Sequence, residues 1–289
     1  MQMRDGEPKY LKLAPLRESD GQTPLFCFPG AGGEVGIFED MASLMEGNQP
    51  VYGIDMRKFF DIDRKFTVEQ LAALCLSMIR EKQARGPYHM CGYSFGAIVA
   101  YEAANRLSHS GEDIGVLAMI DTGNPAFRTQ LSSAEATQLQ KIYLANRLAR
   151  YFRLLAEGNI RRFAGSVLAL LASRAGIRTR RLIRRVFLAM NRAMPDVFRN
   201  NDRALFEASL AYNPPPNTLS LLLFYGEHRR AEYGGDRTLG WCLCASGEVD
   251  VELSSEGHVE MMKFPYVRGF AAKLSGIFVG KGQITPDLL

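Results

Sequence analysis

A serine, an aspartate and a histidine that could share the work of nucleophilic catalysis occur in the order Ser94, Asp121, His258. Serine is a weak nucleophile at neutral pH and needs a histidine within hydrogen-bond reach to take its proton. An aspartate then holds the imidazole tautomer and stabilises the imidazolium. Ser94 stands in Gly92-Tyr93-Ser94-Phe95-Gly96. Between a strand and a helix, a G-x-S-x-G run turns so sharply that the serine hydroxyl is held clear of the sheet. A Cβ at either glycine would clash where the helix start crowds the strand end. The pattern alone arises by chance in roughly one chain in ten of this length, so its context decides. Residues 88–91 (YHMC) read as a strand, and 97–107 have the Ala, Glu and Leu content of a helix.

With four histidines, elimination is practical. His89 lies inside the strand before the turn and is expected to pack. His109 ends a helix, where the dipole favours a cation. His228 follows a strand and stays a candidate, while His258, after the last strand, stands where a strand-edge base is expected. Two acids compete. Asp121 ends the strand after the elbow helix, although D-T-G-N-P is also good turn chemistry. Asp236 lies after the penultimate strand; Asp121 is preferred because it shares the edge of Ser94. The first loop, Pro29-Gly30-Ala31-Gly32-Gly33, carries neither glycine-rich phosphate motif. It reads as an oxyanion loop or as a flexible turn.

The elements that must position these residues alternate. Strands are expected at 25–28, 51–55, 88–91 and 116–120, separated by helices at 37–45, from Thr67 to a stop at Gly86-Pro87, and at 97–107. Thr67-Val68-Glu69-Gln70 fits a capping box, and the aromatic stretch before it reads as an irregular loop. This alternation implies a mostly parallel sheet with helices on both faces, whose strands present their carboxyl ends at one edge. Strands at 219–225 and 249–253 and a helix at 264–278 complete it. The expected organisation is a linker-like segment at 1–23, a core at 24–127 and 211–280, a helical basic insertion at 128–210 acting as a lid, and a tail at 281–289.

The 289 residues, 47% hydrophobic, suffice for one large core. Five scattered cysteines, Cys27, Cys75, Cys91, Cys242 and Cys244, read as reduced core thiols of a cytoplasmic protein. The polar MQMRDGEPKY does not read as a signal peptide, and the longest apolar stretch is too short to span a bilayer. The net charge of +4 hides an asymmetry: residues 128–203 hold 16 Lys or Arg against 4 Asp or Glu, leaving 19 against 27 elsewhere. Arginines interleaved with apolar residues (RTRRLIRRVFLAM) fit a solvated helix face, a membrane surface or an acidic partner. No nucleic-acid motif accompanies the charge.

LFCFPGAGG, VYGID, GPYHMCGYSFGAIVAYEAA, VLAMIDT, LLLFYGE, the D-x-x-x-G-W of Asp236 to Trp241, and Gly257-His258 together resemble the thioesterase family of nonribosomal peptide and polyketide synthases. The resemblance runs from about residue 25 to 278. It implies the α/β-hydrolase fold, a mostly parallel sheet flanked by helices, with a helical lid insertion. It also implies that Ser94 accepts an acyl chain from the phosphopantetheine arm of a carrier protein, with Asp121 as orienting acid and His258 as base. The backbone N–H groups of Ala31 and Phe95 would form the oxyanion hole, and release would follow by water or an internal nucleophile. No cofactor is implied for the domain itself, and the implied partner is a carrier protein or the upstream synthase. An acidic carrier is expected to dock on Arg180, Arg181, Arg184 and Arg185. A monomer without nucleic-acid partners or stable membrane insertion is expected. Domains that terminate an assembly line resemble this chain in placing the acid directly after the strand that follows the elbow helix. Stand-alone editing thioesterases more often place it later and carry histidine in the first loop, where this chain has Phe28-Pro29-Gly30. An editing enzyme for short acyl groups, and a non-catalytic carrier-protein or lipid-binding module of the same fold, are the alternatives.

Overall fold

Seven strands form one sheet in the order β1-β3-β2-β4-β5-β6-β7. They are Lys12–Arg17 (β1), Leu25–Phe28 (β2), Val51–Asp55 (β3), Tyr88–Tyr93 (β4), Ile114–Ile120 (β5), Leu221–Gly226 (β6) and Val249–Ser254 (β7). The computed structural model describes residues 10–20, 23–60, 66–127 and 201–282. The chain divides into two units, Met1–Gln130 with Asn201–Leu289, and Leu131–Asn200. The second lies outside the described residues, as do Arg180, Arg181, Arg184 and Arg185 and most of the expected insertion.

All strand pairs are parallel except β1 with β3. β2, β4 and β6 are buried along their whole length, as parallel strands covered on both faces must be. β1 corrects the sequence reading, which placed it in a linker. Lys12 pairs with Asp55 and Leu13 with Ile54, and the register shifts between Pro15 and Arg17. Its KLAPLR sequence has no fully buried position, and proline, lacking an N–H, is tolerated only at a sheet edge. Such a strand looks like a linker when only periodicity is read.

Among the described residues the α-helices are Glu39–Leu44 (α1), Arg57–Phe60 (α2), Val68–Lys82 (α3), Phe95–His109 (α4), Asn201–Ala211 (α5) and Arg268–Gly282 (α6). The Thr67 capping box forms: Thr67 Oγ1 accepts from Gln70 N–H at 3.2 Å, and Gln70 Oε1 accepts from Thr67 N–H at 3.1 Å. The helix expected at 37–45 is a 3-10 turn, Val35–Phe38, followed by α1. The stretch read as an irregular loop contains α2, because Phe59 and Phe60 bury their rings against Phe66 and Phe95.

Strand residues divide with period two between two cores. Phe26, Phe28, Tyr88, Met90 and Leu117 face α3 and α4, whereas Leu25, Cys27, Cys91, Ala118 and Phe224 face α1 and α6. Leu205 and Ala208 of α5 are buried in the first core, so the core takes up the chain at α5 and not at 211. Cys27, Cys75, Cys91 and Cys244 are buried, but Cys242 is exposed, contrary to its reading as a core thiol. Burial, and then the neighbouring Cys91, pushes the Cys27 thiol far above its usual range, and burial does the same to Cys75. Neither offers a thiolate to rival a serine nucleophile.

Among the described residues no helix is long and apolar enough to cross a membrane, and no cluster could hold a metal ion. From β2 the chain runs to β3 on one side, then returns to β4 on the other. The strand order therefore reverses between the carboxyl ends of β2 and β4, where open α/β sheets place their sites.

Phe270 of α6 is fully buried and stacks on Phe224 of β6, with ring centroids 4.6 Å apart and planes 5° from parallel. Phe270→Ala is expected to lower unfolding free energy by about 3 to 5 kcal/mol in denaturant titration. A loss below about 1 kcal/mol would show that this face is not packed as described.

Candidate active site

Ser94 adopts φ 54° and ψ −123°, a conformation that surrounding structure must enforce on a non-glycine residue. Its N–H donates to the Ile120 carbonyl at 2.8 Å and its carbonyl accepts from Ala97 N–H at 3.0 Å. A Cβ on Gly96 would collide with the carbonyl oxygens of Phe28 and Pro29, and one on Gly92 with the Ala97 backbone. Both glycines are thus required by the approach of α4 to β2 and β4. Deeper in α4, Tyr101 donates to the Pro215 carbonyl at 2.9 Å. The buried Glu102 carboxylate accepts from Arg106 at 2.6 Å and from Tyr212 at 2.8 Å. These bonds fix the helix that carries the serine.

The first loop lies against the same turn. Gly33 N–H bonds the Gly30 carbonyl at 2.9 Å, and a Cβ on Gly30 would stand 3.3 Å from the Ser94 Cβ. Ala31 is the second residue of that turn, whose closing bond does not use the Ala31 N–H. Phe95 opens α4, so its N–H has no acceptor within the helix.

Asp121 follows β5 with φ 47°, and its N–H donates to the Phe224 carbonyl at 2.7 Å. Its carboxylate is buried, with 1% of the side chain exposed. His258 Nδ1 donates to Oδ2. On the other oxygen, Gly226 N–H lies at 3.4 Å and Arg229 Nε at 3.5 Å. Burial alone would raise the Asp121 pKa. The His258 hydrogen bond, the Arg229 and His258 charges and the Gly226 N–H together outweigh burial and hold the carboxyl below its ordinary range.

The imidazole of His258 stacks on Tyr93, with centroids 4.8 Å apart, and the Tyr93 hydroxyl donates to the His258 carbonyl at 2.8 Å. Burial first, then the Asp121 and Glu260 charges, raises the Tyr93 pKa and keeps it a hydroxyl donor. With Nδ1 committed to Asp121, Nε2 is the nitrogen left for a reacting group. The structure thus brings Asp121 and His258 into direct contact. Ser94 joins them through neighbours: Tyr93 touches His258, and Ile120 precedes Asp121.

The other histidines are placed elsewhere. His89 Nε2 lies 2.9 Å from Thr23 Oγ1, with its ring edge-on to Phe278. His109 Nδ1 bonds the Asn105 carbonyl at 2.8 Å. His228 falls in the 3-10 segment Glu227–Tyr233. Asp236, the competing acid, accepts from Thr238 N–H at 2.8 Å and Gly240 N–H at 2.7 Å, which shapes the turn into Trp241. Trp241 Nε1 in turn donates to the Thr122 carbonyl at 3.1 Å. Three contributors to the site were not singled out from sequence: Tyr93, the Gly226 N–H and Arg229. The available signal for the last was the charged Gly226-Glu227-His228-Arg229-Arg230 run directly after a buried strand.

The thioesterase domain family model matches residues 23–275. Nonribosomal peptide synthetase pngA of Aspergillus terreus is 35% identical over 113 residues, covering 39% of this chain and 12% of that protein. Nonribosomal peptide synthetase btyA of the same organism is 29% identical over 244 residues, covering 78% of this chain and 24% of that protein. The chain therefore spans only a small share of these relatives. Among solved structures, the NocB thioesterase domain in covalent complex with a fluorophosphonate nocardicin G analog matches with a TM-score of 0.58 at 16% identity. That match covers 93% of this chain and 99% of that one, a likeness of fold. The seven-stranded sheet with its flanking helices is the α/β-hydrolase fold.

Because the folded chain lowers the Asp121 pKa, ionised Asp121 stabilises the fold above the unfolded value of about 4. That contribution is lost as pH falls through the lower, folded-state value. Asp121→Asn is expected to flatten the acid side of the melting-temperature profile. Equal slopes for wild type and variant from about pH 5 to about pH 2 would contradict this.

Proposed function

Since the chain belongs to the thioesterase domain family, we propose that it is a serine thioesterase. In this reading it takes an acyl, peptidyl or polyketide chain from the phosphopantetheine arm of a carrier protein onto Ser94 and then releases it. The observation that carries the reading is the Asp121–His258 hydrogen bond, formed at the sheet edge where the left-handed Ser94 also stands.

His258 Nε2 takes the Ser94 Oγ proton as Oγ bonds the thioester carbonyl carbon. Asp121, ionised and hydrogen-bonded to Nδ1, stabilises the imidazolium. The carbonyl oxygen becomes an oxyanion between the N–H groups of Ala31 and Phe95, such donors supplying about 3 to 4 kcal/mol each. Collapse breaks the C–S bond, and His258 returns its proton to the departing sulfur. Water, or a hydroxyl or amine of the chain itself, then gives a proton to His258 and attacks the Ser94 ester; collapse breaks the bond from the acyl carbon to Oγ and His258 returns that proton to Ser94, so one set of residues serves hydrolysis and cyclisation. The relatives are synthetases, which makes an upstream carrier domain the proposed partner. The proposed division, expected from sequence as 128–210 and shortened at its end by the start of α5, keeps 128–200 as a basic insertion that receives an acidic carrier.

A fluorophosphonate probe is expected to label the wild type at Ser94 and to leave Ser94→Ala unlabelled; a wild type that stays unlabelled would sink the mechanism. Charge reversal at Arg180, Arg181, Arg184 and Arg185 is expected to weaken carrier-protein binding and its salt dependence. Equal affinity before and after reversal would leave these arginines as a solvated face.

A further inference from the structure

Arg229, in the segment after β6, meets Asp121 at two points. Its Nε stands 3.5 Å from Asp121 Oδ1, and one terminal nitrogen donates to the Asp121 carbonyl at 3.4 Å. The other terminal nitrogen donates to Glu232 Oε2 at 2.9 Å. Nε is buried and makes no hydrogen bond, so its approach to Oδ1 acts through charge. The Arg229 side chain is three-quarters buried, where charges are screened less than at a surface.

We infer that Arg229 is a positioning residue for the Asp121–His258 pair: it braces Asp121 in its left-handed turn and sets the pH at which the pair gives up its proton. The inference rests on the Ser94 reading above. Two features separate this role from general support of the fold. One guanidinium touches both the backbone and the carboxylate of the same residue, so it constrains the φ of Asp121 together with the direction of its side chain. It also faces Oδ1 while His258 holds Oδ2, so two cationic groups compete for one buried carboxylate. Remove the arginine and the carboxylate keeps a single cationic partner, the imidazolium, so the pair retains its proton to higher pH.

Among the described residues, four titratable or charged groups stand by the pair or by Tyr93, which stacks on it. They are Arg229 and Glu232 from the segment after β6, Tyr93 from β4, and Glu260 from the turn after His258. Tyr93 is held protonated, and Glu232 partly neutralises Arg229. Arg229 and Glu232 therefore push the pair in opposite directions, which no purely structural role requires.

The test is the rate of fluorophosphonate inactivation against pH, read with melting temperatures, for wild type, Arg229→Gln, Arg229→Lys and Glu232→Gln. The ascending limb of the profile is expected about one pH unit higher in Arg229→Gln, near wild type in Arg229→Lys, and lower in Glu232→Gln. A folded Arg229→Gln with the wild-type limb overturns the inference and leaves the Ser94 mechanism standing. If Arg229→Gln does not fold, an upward or unchanged limb in Glu232→Gln, or an upward limb in Arg229→Lys, overturns it equally. A wild type that is inert at every pH removes the mechanism and the inference together.

Discussion

A carboxylate taken out of water stays ionised only if its oxygens are paired, and Asp121 is where this fold meets that demand. One oxygen receives His258 Nδ1; the other faces the Gly226 N–H and the Arg229 guanidinium. The partners come from the ends of different strands, so the site exists only when β5, β6 and β7 are in register. Ile120 pairs with Phe224, and Gly226 with Ser254. A shift of one residue would turn every side chain to the opposite face and separate Asp121 from His258.

The same edge constrains the serine. Tyr93 pairs with Ile120, which puts the residues that follow them, Ser94 and Asp121, at the ends of neighbouring strands. Two residues in this row, Ser94 and Asp121, have positive φ without being glycine. Each is held by a backbone bond to the adjacent strand, Ser94 to Ile120 and Asp121 to Phe224. Strain at Ser94 and Asp121 is balanced by a sheet in which β2, β4 and β6 are buried along their whole length. That is the arrangement expected where geometry, not local preference, sets the backbone.

Much of this was legible from residue order. The buried strands announced themselves as short apolar runs, the capping box placed α3, and glycine spacing placed the elbow. What escaped has physical reasons. β1 is an edge strand with a proline and no fully buried position, so it carries no period-two signal. α2 is a single turn stabilised by aromatic packing, which local propensity does not report. The charged run after β6 marked the place of Arg229 but not its meaning, which depends on contact with a residue 108 positions away. Asp236 was a fair competitor on sequence alone, since a carboxylate that caps a turn and one that orients a histidine can both stand in a loop that follows a strand.

The central claim, that the chain is carried on Ser94, is tested most directly by catching it there. Wild-type protein is mixed with an acylated carrier protein, quenched in acid during the first turnover, and mapped by peptide mass spectrometry. The account predicts the acyl mass on the peptide that contains Ser94, held as an oxygen ester. Thioester cleavage with that peptide unmodified at every quench time, or the acyl group on another residue, would contradict it.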